Sequence, residues 1–133
     1  MLIDRCSLSV PIISDGDYGD LIVIENMRNI PFKIKRIFYI FNVGINQTRG
    51  NHAHKKLTEA IFCLKGSFDI KITNSDGEVI SLKLNKHNQG LILEPMHWVE
   101  QSNFTRDAIC LVLADDYFKE SDYIRDKKSF LNL

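Results

Sequence analysis

Two histidines, His52 and His54, stand two residues apart in a short basic segment, Arg49–Lys55, that lies between two apolar runs. Successive side chains of a β-strand point to opposite faces, so in an extended segment both imidazoles would share one face, a few ångströms apart. Gly50 just before them would let the chain bend or let another group approach closely. Imidazoles titrate near neutral pH and are common metal ligands, so this pair predicts either proton transfer or metal binding.

Short apolar segments separated by turn-forming residues surround the histidines and predict an all-β fold. Strands at intervals of roughly ten residues, with hairpin signals between them, are typical of an antiparallel sandwich or barrel. The strongest hairpin signal is Asn74–Gly77, because Asp and Gly tolerate the positive φ of tight turns. Strands are predicted over residues 21–24, 32–41, 60–64, 68–73, 79–84, 90–93 and 108–114. A short C-terminal helix is predicted within residues 120–131, where Tyr123 and Phe130 would share an apolar face.

The size and charge of the chain favour a single domain with a small-molecule partner. A length of 133 residues and a mass of 15.4 kDa predict one domain over residues 1–133. Seventeen basic and seventeen acidic residues cancel, and the isoelectric point is about 6.9. This balance gives none of the electrostatic attraction that nucleic acid or an anionic membrane requires, so we expect neither as a partner.

The cysteines predict a reducing compartment. Cys6, Cys63 and Cys110 are odd in number and far apart, and the last two stand inside apolar runs, so we expect buried thiols. The N-terminal residues contain no long apolar stretch of the signal-peptide type, and no run approaches the ~20 apolar residues of a membrane span. We therefore expect a cytoplasmic protein.

The spacing from His54 to Glu59 and on to Gly66 resembles the first motif of the cupin superfamily, HxH-x4-E-x6-G. The resemblance implies a jelly-roll β-barrel. In cupins the two histidines and the glutamate of this motif bind a divalent metal, and a second motif usually supplies a further histidine, in whose place Glu100 stands here. A site for iron, manganese or zinc, formed by two histidines and two glutamates, is therefore one hypothesis.

Four segments, in the same order along nearly the whole chain, resemble the sugar-nucleotide 3,4-ketoisomerases of the WxcM-like cupin family. These segments are Ile30–Phe41, Arg49–Lys56, Leu113–Tyr117 and Ser121–Arg125. The resemblance implies conversion of TDP-4-keto-6-deoxyglucose to its 3-keto isomer, on the way to 3-amino-3,6-dideoxy sugars of surface polysaccharides. It also implies a homodimer that works without a metal or another cofactor.

Carried over by position, the resemblance implies that His52 and His54 are an acid/base pair. It places Arg49 and Arg36 near the phosphates or the sugar, and makes the hydroxyl of Tyr39 a candidate donor. The proton next to a ketone is only weakly acidic, so the enediolate must be stabilised by donors as it forms, and Arg and Tyr are suitable types.

Further along the chain, Trp98 is a candidate for stacking on the nucleotide base, and Glu100 is a candidate substrate contact or ligand. Two residues differ from the usual family pattern, in which Gln is frequent at the position of Glu59 and His at the position of Val99.

Two other functions stay open from the residues alone. One is a metal-dependent cupin enzyme, which requires Glu59 and Glu100 to converge with the histidines. The other is a cupin that binds a sugar without catalysis. The sequence also leaves open the configuration at C4 of the product, which depends on the face of the enediol that receives the proton.

Overall fold

The computed structural model describes residues 2–133 and consists mainly of antiparallel strands. The strands are β1 (Ser7–Ser9), β2 (Ile13–Ser14), β3 (Asp20–Leu21), β4 (Arg36–Phe41), β5 (Arg49–His54), β6 (Glu59–Lys65), β7 (Phe68–Asn74), β8 (Val79–Leu84), β9 (Gln89–Leu93), β10 (His97–Ser102), β11 (Ile109–Ala114) and β12 (Tyr123–Ile124). The helices are α1 (Leu2–Cys6) and α2 (Lys127–Leu131), with 3-10 turns at Gly16–Tyr18 and Glu120–Asp122. No helix within residues 2–133 has the length and apolar character needed to cross a membrane.

Two five-stranded sheets form the body of the protein. The first has the order β1-β9-β6-β11-β4, the second has the order β12-β5-β10-β7-β8, and β2 pairs with β3 in a separate ribbon. Neighbouring strands in both sheets are antiparallel. This arrangement confirms the predicted all-β cupin fold.

The main core lies between the two sheets. Ile61 and Val112 of the first sheet and Ile72 and Val99 of the second are buried in one cluster. Each residue is followed along its strand by one that faces the other way, because side chains alternate across a strand. Burial of an aliphatic side chain of this size contributes roughly 1.5–3 kcal/mol, so this cluster holds the two sheets together.

The outer faces of the sheets are covered by different parts of the chain. On the first sheet, Phe62 and Leu113 pack against Ile30 of the segment that precedes β4. On the second sheet, Trp98 packs with Phe130 of α2. Both coverings lie outside the inter-sheet space, which leaves that space available for a site.

The predicted hairpin at residues 74–77 is confirmed. The Asn74 side-chain oxygen accepts the backbone N–H groups of Asp76 and Glu78 at 3.0 and 2.9 Å, and Gly77 has a φ of 84°. Asn74 thus ends β7 and starts the turn into β8, as the local sequence indicates.

Three predicted elements differ from the structure. The strand expected over 21–24 is limited to β3, because Ile22 and Ile24 pack onto the outside of the first sheet and do not extend the ladder. The strand expected over 32–41 starts only at Arg36. The C-terminal helix starts at Lys127, because Tyr123 pairs with His54 of β5 and extends the second sheet. Strand β10 was not predicted.

Candidate active site

An irregularity in β5 sets the position of the two histidines. Gly50 and Asn51 have positive φ angles of 81° and 60°, and the register of β5 on β10 shifts immediately after Val99. A Cβ atom on Gly50 would lie 2.8 Å from the Val99 carbonyl oxygen, so the close approach of the two strands requires glycine. After this bulge, strand alternation turns His52 and His54 into the molecule.

A cavity of about 330 Å³ opens between the sheets beside His52. Its apolar wall includes Phe38, Ile61 and Val112. The polar side chains that face it include Arg49, His52, Glu59, Gln101, Tyr123 and Arg125. Apolar walls with a few convergent polar groups are typical of small-molecule sites, and the volume lies within their usual range of roughly 300–1,000 Å³.

His52 presents one open ring nitrogen to this cavity. Its Nδ1 lies 3.0 Å from the Gly50 carbonyl oxygen. Because a carbonyl only accepts, Nδ1 carries the hydrogen and Nε2 keeps a free lone pair. Burial, together with the cations Arg125 and Arg49, lowers the pKa of His52 below its usual value of 6.5. The imidazole is therefore neutral at pH 7 and able to accept a proton.

His54 lies deeper and is only 2% exposed. Its Nε2 is 3.6 Å from the Glu59 Oε1, and its Nδ1 is 3.5 Å from the Asp122 Oδ2. Burial, followed by the neighbouring His52, lowers the pKa of His54 to about 4. His54 is therefore neutral between two carboxyl groups, and its ring centroid lies 4.8 Å from that of His52.

Asp122 connects His54 to the loop that follows β5. Its two carboxylate oxygens accept the backbone N–H groups of Lys56 and Leu57 at 2.9 and 3.2 Å. These two hydrogen bonds fix the position of the carboxylate. Asp122 therefore holds the loop, and its Oδ2 lies 3.5 Å from the His54 Nδ1.

Tyr123 covers the edges of both histidines. Its ring centroid lies 4.9 Å from that of His52 and 4.3 Å from that of His54, in edge-on arrangements. The Arg125 guanidinium carbon lies 4.2 Å from the Tyr123 ring centroid, and Arg125 itself is held by a two-pronged ion pair with Glu120 at 2.7 and 2.9 Å. Tyr123 also lines a second cavity of about 170 Å³, so its ring separates the two cavities.

Glu59 begins β6 and is 4% exposed. Burial raises the pKa of this carboxyl to about 7; the nearby Arg36 acts against the shift and Asp115 adds to it. Arg36 itself is half-buried, with its guanidinium carbon 5.2 Å from the Phe38 ring centroid. A carboxyl group that exists in both protonation states near pH 7 thus faces the cavity beside His52.

The family model described as FdtA, WxcM-like, C-terminal, matches residues 5–133. The chain belongs to the FdtA family. Together with a relative and solved structures that are 3,4-ketoisomerases, this match confirms the resemblance to the sugar-nucleotide 3,4-ketoisomerases and identifies the protein as an isomerase. A member from Aneurinibacillus thermoaerophilus, TDP-4-oxo-6-deoxy-alpha-D-glucose-3,4-oxoisomerase, is 42% identical over 113 residues, which are 84% of this chain and 80% of that protein.

Solved structures of 3,4-ketoisomerases have the same fold as this FdtA-family chain. A His-to-Asn mutant of QdtA from Thermoanaerobacterium thermosaccharolyticum, in complex with TDP-4-keto-6-deoxyglucose, is 39% identical and has a TM-score of 0.92, covering 99% of this chain and 94% of that one. The WlaRB TDP-quinovose 3,4-ketoisomerase from Campylobacter jejuni is 37% identical, with a TM-score of 0.91 and coverage of 98% and 100%.

The structure separates the predicted site residues into two groups. His52 and Arg49 line the larger cavity, whereas His54 and Arg36 line the smaller one on the other side of Tyr123. His52 therefore borders the larger cavity and His54 the smaller one, while their ring centroids lie only 4.8 Å apart. Strand alternation fixes the face of a side chain but not its depth in the barrel.

Tyr39 lies on the opposite face of β4 from the cavity. Its side chain is 63% exposed, and its ring stacks on Phe41 at 5.8 Å. Phe38 and Ile40, at alternate positions of the strand, line the cavity instead. The Tyr39 hydroxyl, a candidate donor from the sequence, therefore points away from the cavity in this chain, because alternation along β4 gives the inner face to Phe38.

Trp98 also faces away from the cavity. It is 3% exposed and packs with Ala53 and Phe130 on the outer face of the second sheet. The indole therefore belongs to the contact between α2 and the sheet, and the predicted stacking on a base is wrong for this arrangement.

Glu100, like Tyr39 and Trp98, lies outside the cavity. Its carboxylate lies 3.1 Å from Lys127 Nζ on the outer side of β10. The hypothetical set of two histidines and two glutamates therefore does not assemble. Of the described residues, His52, His54 and Glu59 offer three donor atoms within 4.8 Å of one another.

Sequence reasoning missed the polar residues that complete the site. Asp122, Tyr123 and Arg125 come from the tail, and Gln101 comes from the unpredicted strand β10. The tail segment belongs to the family resemblance, which is a usable signal. The sequence did not indicate that Gln101 points inward. Inward positions of a strand are normally apolar, so a glutamine there hides the alternating pattern by which a strand is recognised.

Proposed function

We propose that this protein converts TDP-4-keto-6-deoxyglucose to the TDP-3-keto-6-deoxy isomer through an enediol, with His52 as the base. The observation that carries the proposal is the open Nε2 of a neutral His52 in the larger cavity, while Nδ1 is held by the Gly50 carbonyl. The QdtA relative in complex with the same sugar nucleotide supports the choice of substrate.

The proton on C3 is weakly acidic because it stands next to the C4 ketone. His52 removes it, and the negative charge that develops on O4 is stabilised by groups that face the cavity, among them the cation Arg125. His52 then returns a proton to C4. Removal and return by one open nitrogen require no redox cofactor, because one carbon is oxidised as its neighbour is reduced.

His54 acts through His52 in this proposal and does not contact the sugar. It is neutral and packs edge-on against the His52 ring at a centroid distance of 4.8 Å. A charged imidazole at this distance would make His52 a weaker base, so the low pKa of His54 preserves the proton affinity of its neighbour.

The diphosphate is assigned to Arg49. This residue is exposed and lines the larger cavity, and guanidinium groups bind phosphate oxygens in pairs. Arg36 lies on the side of the smaller cavity, so its proposed role is to act on the Glu59 charge.

The proposed setting is a cytoplasmic pathway to 3-amino-3,6-dideoxy sugars, because a 3-ketone is the group that an aminotransferase converts to an amine. Three free, buried cysteines support a reducing compartment. A homodimer is supported by the exposed apolar stripe of Ile37, Tyr39 and Phe41 on the edge strand β4. Light scattering after size-exclusion chromatography tests the dimer, and a monomer at micromolar concentration would contradict it.

Proton NMR of the chelator-treated protein with TDP-4-keto-6-deoxyglucose in deuterated water tests the reaction. We expect a 3-keto sugar with deuterium at C4. His52→Asn should remove this activity, whereas the matched control His87→Asn, at an exposed turn position, should keep it. An unchanged sugar with the wild-type protein would contradict the proposal, and turnover that depends on added metal would favour a metal-dependent cupin.

A further inference from the structure

Gln101 is a buried polar side chain to which the proposed mechanism gives no role. It lies on β10, is 5% exposed, and lines the larger cavity. Burying an amide costs free energy unless both of its ends find hydrogen-bond partners. The partners of Gln101 therefore indicate what this part of the cavity binds.

Among the described residues 2–133, the amide of Gln101 has a partner at one end only. Its Nε2 lies 3.3 Å from the Sγ of Cys110, a buried thiol on β11 of the opposite sheet. No group within these residues donates a hydrogen bond to its Oε1. The contact with Cys110 thus turns the nitrogen towards the core and leaves the oxygen as an acceptor in the wall of the cavity.

The strand register places Gln101 on the diphosphate side of His52. On the ladder between β5 and β10, Gln101 pairs with Arg49, and Val99 pairs with His52. The diphosphate, which is assigned to Arg49, is attached to C1 of the sugar, and His52 acts at C3 and C4. Because C2 joins C1 to C3, a side chain level with Arg49 is placed to meet the substituent on C2.

The C2 hydroxyl of the sugar needs an acceptor of this kind. The hexose ring of the substrate carries hydroxyl groups at C2 and C3. The C3 hydroxyl is consumed when the new ketone forms, whereas the C2 hydroxyl is the same in substrate and product. A hydroxyl group donates to an amide oxygen, so the free Oε1 of Gln101 and the C2 hydroxyl are complementary.

We propose that Gln101 is a specificity-determining residue, which accepts a hydrogen bond from the C2 hydroxyl and so selects 2-hydroxy sugars over 2-deoxy sugars. The inference rests on the proposed function and adds the substrate class to it. A 2-deoxy sugar would leave the amide oxygen buried without a partner. A site that binds a hydroxyl group discriminates against the analogue that lacks it for this reason.

Kinetics with two sugar nucleotides test the proposal. TDP-4-keto-6-deoxyglucose and its 2-deoxy analogue are compared by the ratio of their kcat/KM values. We expect a ratio above about 10 in the wild type and about tenfold lower in Gln101→Met, whose unbranched side chain fills similar space but is a weak acceptor. Gln89→Met is the matched control, because Gln89 is an exposed glutamine on β9, and it should keep the wild-type ratio. Circular dichroism checks that each variant is folded.

Binding measures the same preference without turnover. Calorimetry with His52→Asn, which should leave both sugars unconverted, should show an affinity at least about tenfold higher for the 2-hydroxy sugar. Equal affinities for the two sugars, or a kcat/KM ratio that Gln101→Met leaves unchanged, would overturn the proposal. Conversion of neither sugar by the wild type would contradict the proposed function instead, so the two failures are distinguishable.

Discussion

His52 and His54 share a strand and a face, yet their surroundings differ. His52 has one nitrogen on a backbone carbonyl and the other open to the larger cavity. His54 stands between the carboxyl groups of Glu59 and Asp122, with 2% of its surface exposed. A residue type at a given spacing thus identifies the face of a strand, while the neighbours decide whether the group meets the substrate.

The difference predicts that changes at His52 affect chemistry and that changes around His54 mainly affect stability. Three substitutions and one pH titration test this division.

His52→Asn should lower kcat by about 10²–10⁴-fold, the usual contribution of a positioned acid/base group. The midpoint of thermal unfolding should change little, because the His52 ring faces a cavity and its removal opens no gap in the core. Steady-state kinetics and calorimetry measure the two quantities. If His52→Asn kept more than a tenth of wild-type kcat, His52 would not be the base, and the proposed difference between the two histidines would be wrong.

The pH dependence of stability should report His54. Its pKa is about 4 in the fold and near 6.5 when unfolded, so folding favours the neutral ring. Its contribution is therefore fully present above pH 6.5 and is lost as pH falls towards 4, by about 3 kcal/mol in total.

Urea unfolding of the wild type and of His54→Gln at several pH values isolates this contribution. We expect the wild type to lose about 3 kcal/mol relative to the variant between pH 7 and pH 4. Parallel curves for the two proteins would show that His54 is not buried as a neutral ring.

Asp122→Asn should reduce the free energy of unfolding by about 1–3 kcal/mol, because the carboxylate accepts the N–H groups of both Lys56 and Leu57. The amide retains only one oxygen for these two donors. We expect kcat to remain within about tenfold of the wild type, since Asp122 acts through His54. If kcat fell as much as in His52→Asn, the buried pair of His54 and Asp122 would take part in the reaction itself.

Tyr39→Phe should have the smallest effect. The hydroxyl lies on the exposed face of β4, so we expect a change of stability within about 0.5 kcal/mol and an unchanged kcat. The same variant tests whether the Tyr39 hydroxyl takes part in catalysis. A kcat reduced by tenfold or more would show that it does.

Short sequence patterns predicted those turns and strands whose structure depends on neighbouring residues alone. The turn at Asn74 and the strand that follows it were readable because turn residues and strict alternation occur together. The face of Tyr39 was not readable, because Ile37–Phe41 is apolar throughout and gives no alternation to assign. In such a run only the partner sheet decides which row is buried.

The site was predictable only in its histidine segment. Glu59 was found through the cupin spacing, but its contact with His54 depends on how β6 lies beside β5 in space. Asp122 and Tyr123 are far from His54 in the sequence, and antiparallel pairing of β12 with β5 brings them together. Contacts of this kind follow from topology, which residue spacing alone does not contain.

The most direct test of the account uses TDP-4-keto-6-deoxyglucose carrying deuterium at C3, followed by NMR with His52→Asn and His54→Asn. We measure the rate at which deuterium leaves C3, whether it is lost to water or moved to C4. We expect this rate to fall by about 10²-fold or more in His52→Asn and to stay within about tenfold of the wild type in His54→Asn. Loss of the exchange in His54→Asn with retention in His52→Asn would contradict it.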